Sequence, residues 1–128
     1  MKDFEDTMCE DLDEQEYAEV DAIIECLASL PCHETHIVNP MKVQQVRFAC
    51  AQINRVLKEA GVKAKIECKQ HEFNANVAVI RVEGVSLEIT NAEGFARAAE
   101  FATNTEIYPL TNGNVRMTFT FHGLLIPV

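Results

Sequence analysis

The sequence predicts an α+β fold, and three observations carry that prediction. Between Pro40 and Gly61, apolar residues recur at three- and four-residue steps. Residues 63–69 and 77–82 switch to strand patterning. Asn112-Gly113 then stands between two alternating runs as a hairpin turn. The expected order is helix, helix, three strands, helix, two strands. It would form a mainly antiparallel five-stranded sheet with helices packed on one face.

Taken in order, residues 1–12 show no period and are expected to form an acidic, flexible N-terminal segment ahead of a single α+β domain over residues 13–128. A first helix should open at Asp13, where Asp13 and Glu16 have capping-box spacing and Leu12 and Tyr17 occupy staple positions. Its inner face would be Tyr17, Val20, Ile23, Ile24, Leu27, Ala28 and Leu30, and Pro31 stops it. Residues 31–40 read as a connection.

The second helix is the best marked. Val43, Val46, Ala49, Cys50, Ile53, Val56, Leu57 and Ala60 fall on one arc of roughly 140°, which is a core face. Pro40 suits its first turn and Gly61 its C′ position. Gln44, Gln52 and Arg55 fill the opposite side, and Phe48 lies among them, so this helix is expected to touch something on two sides.

Ala64, Ile66 and Cys68 alternate with lysines and Glu67 as a strand with one wet face. Val77 to Val82 is apolar throughout and is placed centrally, covered on both sides. Gly84 is read as its end, with Val85 to Thr90 as a third strand. Thr90-Asn91-Ala92-Glu93 reads as a capping box opening a helix that ends near Asn104. The stripe Ala92, Phe95, Ala98, Ala99 and Ala102 lets that helix approach a sheet or another backbone closely, while Phe101 points elsewhere. Pro109 marks its hairpin strand as an edge. The end of the chain, Leu124-Leu125-Ile126-Pro127, is too apolar to stand in water and should be packed.

The chain has 128 residues with a formal net charge of −9. Residues 1–21 hold ten acids and one base, so the remaining residues are balanced and all of the net charge sits in one segment. No run approaches the roughly 20 apolar residues of a membrane span, and the opening residues are unlike a signal peptide. A cytoplasmic location, reduced cysteines and no membrane partner are expected. Lys58, Lys63, Lys65 and Lys69 make too small a basic stripe for nucleic acid.

For chemistry, Cys26, Cys32, His33 and His36 are the one set with zinc-ligand side chains, but they lack the paired spacing of structural zinc sites. Cys68 with His71 or His122 is the only thiol–imidazole pair that the strands favour, and no orienting acid can be named for it. The five glycines are scattered and make no phosphate loop. No cofactor is expected.

The sequence therefore reads as a small acidic protein-binding or adaptor protein, chaperone-like or of the immunity or antitoxin type. It would meet a protein partner, basic in charge, or its own copy as a homodimer through Phe48, Phe101, Leu124, Leu125 and Ile126. The element order is similar to that of the small acidic chaperones of bacterial secretion, without their final helix. The alternatives are a small enzyme or ligand-binding domain with a pocket between sheet and helices, using His71, His122 or Glu88, and a metal-stabilised structural protein.

Overall fold

Asn39 sets where the long helix begins. In this computed structural model, which describes Val20, Ile23, residues 36–71 and residues 73–127, a short strand β1 (His36–Val38) leads directly into α1 (Pro40–Glu59). The Asn39 side chain accepts hydrogen bonds from the amides of Met41 and Lys42, and Pro40 occupies the first turn, where its missing N–H costs nothing. At the other end Gly61 is left-handed (φ +67°), while Val62 N–H donates to Leu57 O and Gly61 N–H to Lys58 O. This is a Schellman stop at the glycine expected to supply it.

The strands that follow are β2 (Lys65–Gln70) and β3 (Val77–Val85). After a 3-10 turn (Ile89–Asn91) come α2 (Glu93–Phe101), β4 (Asn104–Pro109), β5 (Val115–His122) and β6 (Leu125–Pro127). The fold is α+β with antiparallel sheets. The expected single five-stranded sheet is replaced by a four-stranded sheet, ordered β2-β3-β5-β4, and a two-stranded one, β1-β6. The C-terminal apolar run pairs with the segment expected to be a mere connection.

The expected third strand, Val85 to Thr90, does not form. Gly84 lies inside β3 as a bulge, between the Glu83–Arg116 and Val85–Val115 pairs. Its φ of +91° is the conformation that glycine tolerates best, and the extra residue returns Val85 to the buried face. Beyond it, Ser86 Oγ accepts from Ile89 N–H and Thr90 Oγ1 donates to Leu87 O, so local side-chain bonds replace a ladder. The expected capping box at Thr90 is likewise absent, since Ala92 is the N-cap of α2 and has no side-chain cap.

One face of the four-stranded sheet carries Cys68, Ala78, Ile80, Val82, Met117, Phe119 and Phe121, all buried, and both helices pack on it. Phe95 of α2 lies over Phe119 at 6.1 Å. Val20 and Ile23, the described residues of the expected first helix, are helical; Val20 is fully buried and Ile23 packs against the same core.

On the opposite face of β3 Val77 is buried while Val79, Arg81 and Glu83 are half-buried, so the cover expected on both sides is only partial there. Glu67 stands 3.8 Å from Arg81, and Glu83 stands 3.4 Å from Arg116. Arg116 also lies over the Tyr108 ring at 5.1 Å.

Candidate functional site

The two helices run antiparallel, because Phe48 of α1 meets Phe101 of α2 while Gln52 and Val56 meet Gly94. At Gly94 the backbones nearly touch. A Cβ there would stand 2.4 Å from Val56 Cγ2 and 3.0 Å from Gln52 O, so glycine is the residue that this approach admits. Alongside the contact lies a cleft of about 540 Å³, within the range of small-molecule sites.

Residues 52, 55, 56, 59 and 60 recur on one side of α1 and form one wall of the cleft. Across from them stand Ile89, Ala92 and the first half of α2, including Glu93 and Arg97. Arg97 and Glu93 pair at 3.3 Å one turn apart. The wall thus holds two arginines, Arg55 and Arg97, and two glutamates, Glu59 and Glu93, around an apolar strip of Val56, Ile89 and Ala92. Ala92 leaves the start of α2 without a side-chain cap, and this positive end of the helix opens on the cleft.

The feature of most consequence is Gln52. It is the one polar residue buried in the core among the described residues, at 3% exposed, and its Nε2 is shut off from solvent with no hydrogen-bond partner. A buried donor left unmet costs about 1–3 kcal/mol, which a protein rarely carries without a use. The sequence pattern sets Gln52 opposite the main core arc of the helix, beside Phe48. The alanine-rich stripe around Gly94 was the available signal for a close backbone approach, but which helix it approaches is a tertiary fact.

Of the other residues singled out from sequence, Phe48 and Phe101 meet each other and the rest lie apart. Phe48 is buried against Phe101, and Leu124 is fully buried. Leu125 and Ile126 are half-buried in β6, and Leu125 lines a hollow of about 420 Å³ with Asn74, Ala75, Asn76 and Pro127. Cys26, Cys32 and His33 lie outside the described residues, and His36 begins β1. No group of three metal-binding side chains occurs among the described residues.

Cys68 faces the core, whereas His122 is exposed and pairs with Val77 on the other face, so that thiol–imidazole pair does not assemble. His71 Nδ1 accepts from the Phe73 amide, and Glu88 is exposed beside the 3-10 turn. Lys65 and Lys69 share their strand face with Glu67, which interrupts the basic stripe, and Glu67 lies 3.7 Å from Lys69. The Cys50 thiol is buried, and burial pushes its pKa up to about 12, away from nucleophilic use near neutral pH. Tyr108 Oη donates to Glu106, which raises the phenol's pKa, but the pair stands on the outer sheet face, away from the cleft.

No described helix is long and apolar enough to cross a membrane. Comparison with known proteins returns no family model, no characterised protein and no solved structure that matches this chain.

Proposed function

We propose that this chain is a ligand-binding domain whose site is the cleft between α1 and α2. One observation carries the reading: Gln52 is the one buried polar residue in the described core, it lines the cleft, and its amide donor lacks a partner. The cleft also combines an apolar strip with a few charged groups, the usual composition of a small-molecule site. The cleft is lined by residues of the two helices and of the 3-10 turn before α2. A fragment screen by thermal shift, with hits mapped by amide chemical shifts, tests this. Ligands should move the resonances of residues 52–60 and 89–97, and hits confined to the outer sheet face would sink the reading.

A second reading, the protein-binding or adaptor role, is favoured by β4. All six of its residues are exposed, it lies at the sheet edge, and it presents Ile107 and Tyr108 at 45% and 43% exposure. Such an edge offers backbone groups to a partner strand, whether from a basic protein or from a second copy of the chain. Ile107→Lys should then abolish self-association or capture of the partner in sedimentation experiments without changing the fold. An unchanged sedimentation profile would argue against the edge.

A further inference from the structure

Resting on the second reading, in which β4 is an open edge, we infer that the strand it takes is β4 of a second copy of this chain. The two strands run antiparallel, centred on Ile107, and join two four-stranded sheets into one. The backbone decides which groups are offered. Leu110 N–H donates to Asn114 O at 2.8 Å, which fixes the phase of the ladder. Tyr108, Glu106 and Asn104 follow Leu110 at two-residue steps, so their amides and carbonyls face β5, and those of Thr105, Ile107 and Pro109 face the open side. Among the described residues no strand lies there. Pro109 stands where its N–H would point away from β5, so its ring costs the sheet no bond.

The two edges of the sheet differ in how they are guarded. β2 carries Lys65 and Lys69, and lysines on an edge oppose pairing with another chain. β4 carries no lysine or arginine, and its one charged side chain is Glu106. Ile107 shares a sheet face with Met117, its cross-strand partner, which belongs to the core. The apolar surface of the core therefore runs on to this edge and stops in water. With one unguarded edge per copy, a single pairing closes the assembly as a twofold dimer.

The register follows from what each alignment sets opposite. Centred on Glu106, the pairing would bring the two Glu106 carboxylates directly together, which is destabilising. Centred on Tyr108, it would set each Ile107 carbonyl against a proline that has no N–H and carry Thr105 past the strand end to Thr111 in the turn. Centred on Ile107, that residue exchanges both backbone bonds with Ile107 of the second copy, and each Thr105 N–H reaches a Pro109 carbonyl. Isoleucine then meets isoleucine on the helix-covered face. On the outer face Glu106 meets the Tyr108 of the second copy, a phenol that already donates to a carboxylate at 2.6 Å within one chain.

The test is sedimentation of the full chain over a range of concentrations, with amide exchange at both ends of that range. A monomer–dimer equilibrium is expected, in which the Thr105 and Ile107 amides gain protection as the dimer forms. The Glu106 and Tyr108 amides, already bonded to β5, should change little. Tyr108→Glu sets carboxylates opposite one another at both ends of the pairing and should weaken the dimer about tenfold, whereas Tyr108→Gln should weaken it less. Glu106→Gln should change it by less than about threefold. Marked tightening by Glu106→Gln would identify the Glu106-centred register and overturn the one assigned.

A chain that stays monomeric, while a synthetic strand peptide of alternating lysine and valine protects the same two amides, would overturn self-pairing and leave the open-edge reading standing. A dimer that forms without protecting those amides would overturn the pairing by placing the contact elsewhere. A monomer that also ignores the peptide would overturn both this inference and the reading on which it rests.

Discussion

Phe48 meets Phe101 edge-on, with ring centroids 5.4 Å apart and planes at 87°, so two aromatics set apart from their helices' main apolar stripes become partners in the helix–helix contact. Phe48→Ala should cost about 3–5 kcal/mol, as for a fully buried phenylalanine. Phe101→Ala should cost less, since Phe101 is only half-buried. Urea unfolding of both single variants and the double variant should return a coupling of about 0.5–1.5 kcal/mol for the edge-to-face pair. Additive losses would show that the ring geometry contributes nothing beyond burial.

Gly94→Ala tests the close approach of the helices. In an open helix this change would stabilise by up to about 1 kcal/mol. Here the new methyl meets Val56 Cγ2 and Gln52 O, and the latter is backbone that cannot swing aside. A net loss of about 1–3 kcal/mol is expected from overpacking. Measured by urea unfolding in a Val56→Ala background, the loss should shrink, because the 2.4 Å contact is then relieved.

The helical parts of the fold were legible because their signals are local. Asn39, Pro40 and Gly61 mark α1 through bonds within a few residues, and the structure uses the proline and glycine as read. The error at Gly84 has a different origin. A glycine at positive φ ends a strand in one context and makes a bulge in another, and only the partner strand, with Arg116 and Val115 opposite, decides between them. The β1–β6 sheet and the burial of Gln52 were illegible for the same reason, since each depends on residues far away in sequence. The candidate site was missed on its helix side because Gln52 has the chemistry of a surface residue.

Cys50 should resist modification in the folded chain. Burial disfavours the thiolate and pushes its pKa up to about 12 in the folded chain, from an ordinary value of 9.0. The unfolded chain therefore releases this proton first. The contribution of this group to stability is complete below about 9.0 and is lost as the pH rises toward about 12. Iodoacetamide at pH 8 followed by peptide mapping should leave Cys50 unmodified until urea unfolds the protein. Rapid native labelling would contradict the burial.

Asn39→Ala removes two functions at once, the cap on the amides of Met41 and Lys42 and the Nδ2 donation to Gly123 O at 3.2 Å. A loss of about 1–2 kcal/mol in thermal or urea unfolding is expected. Asn39→Asp keeps the capping acceptor but not the donor, so its loss should be smaller. Equal losses would place the whole effect in the Gly123 tie.

That double role bears on how the molecule breathes. The tie from Asn39 to Gly123 spans 84 positions and, with the Asn39 N–H donating to Leu124 O, anchors two strands of only three residues each. Closing so long a loop for so few bonds is entropically expensive, which makes β1–β6 a late arrival in folding and an early departure in native-state opening. Because the residue that fastens the latch is also the residue that caps α1, the latch cannot lift without unwinding pressure on the first helical turn. Amide exchange in β6 and at Met41 and Lys42 should therefore report one cooperative opening rather than two independent ones.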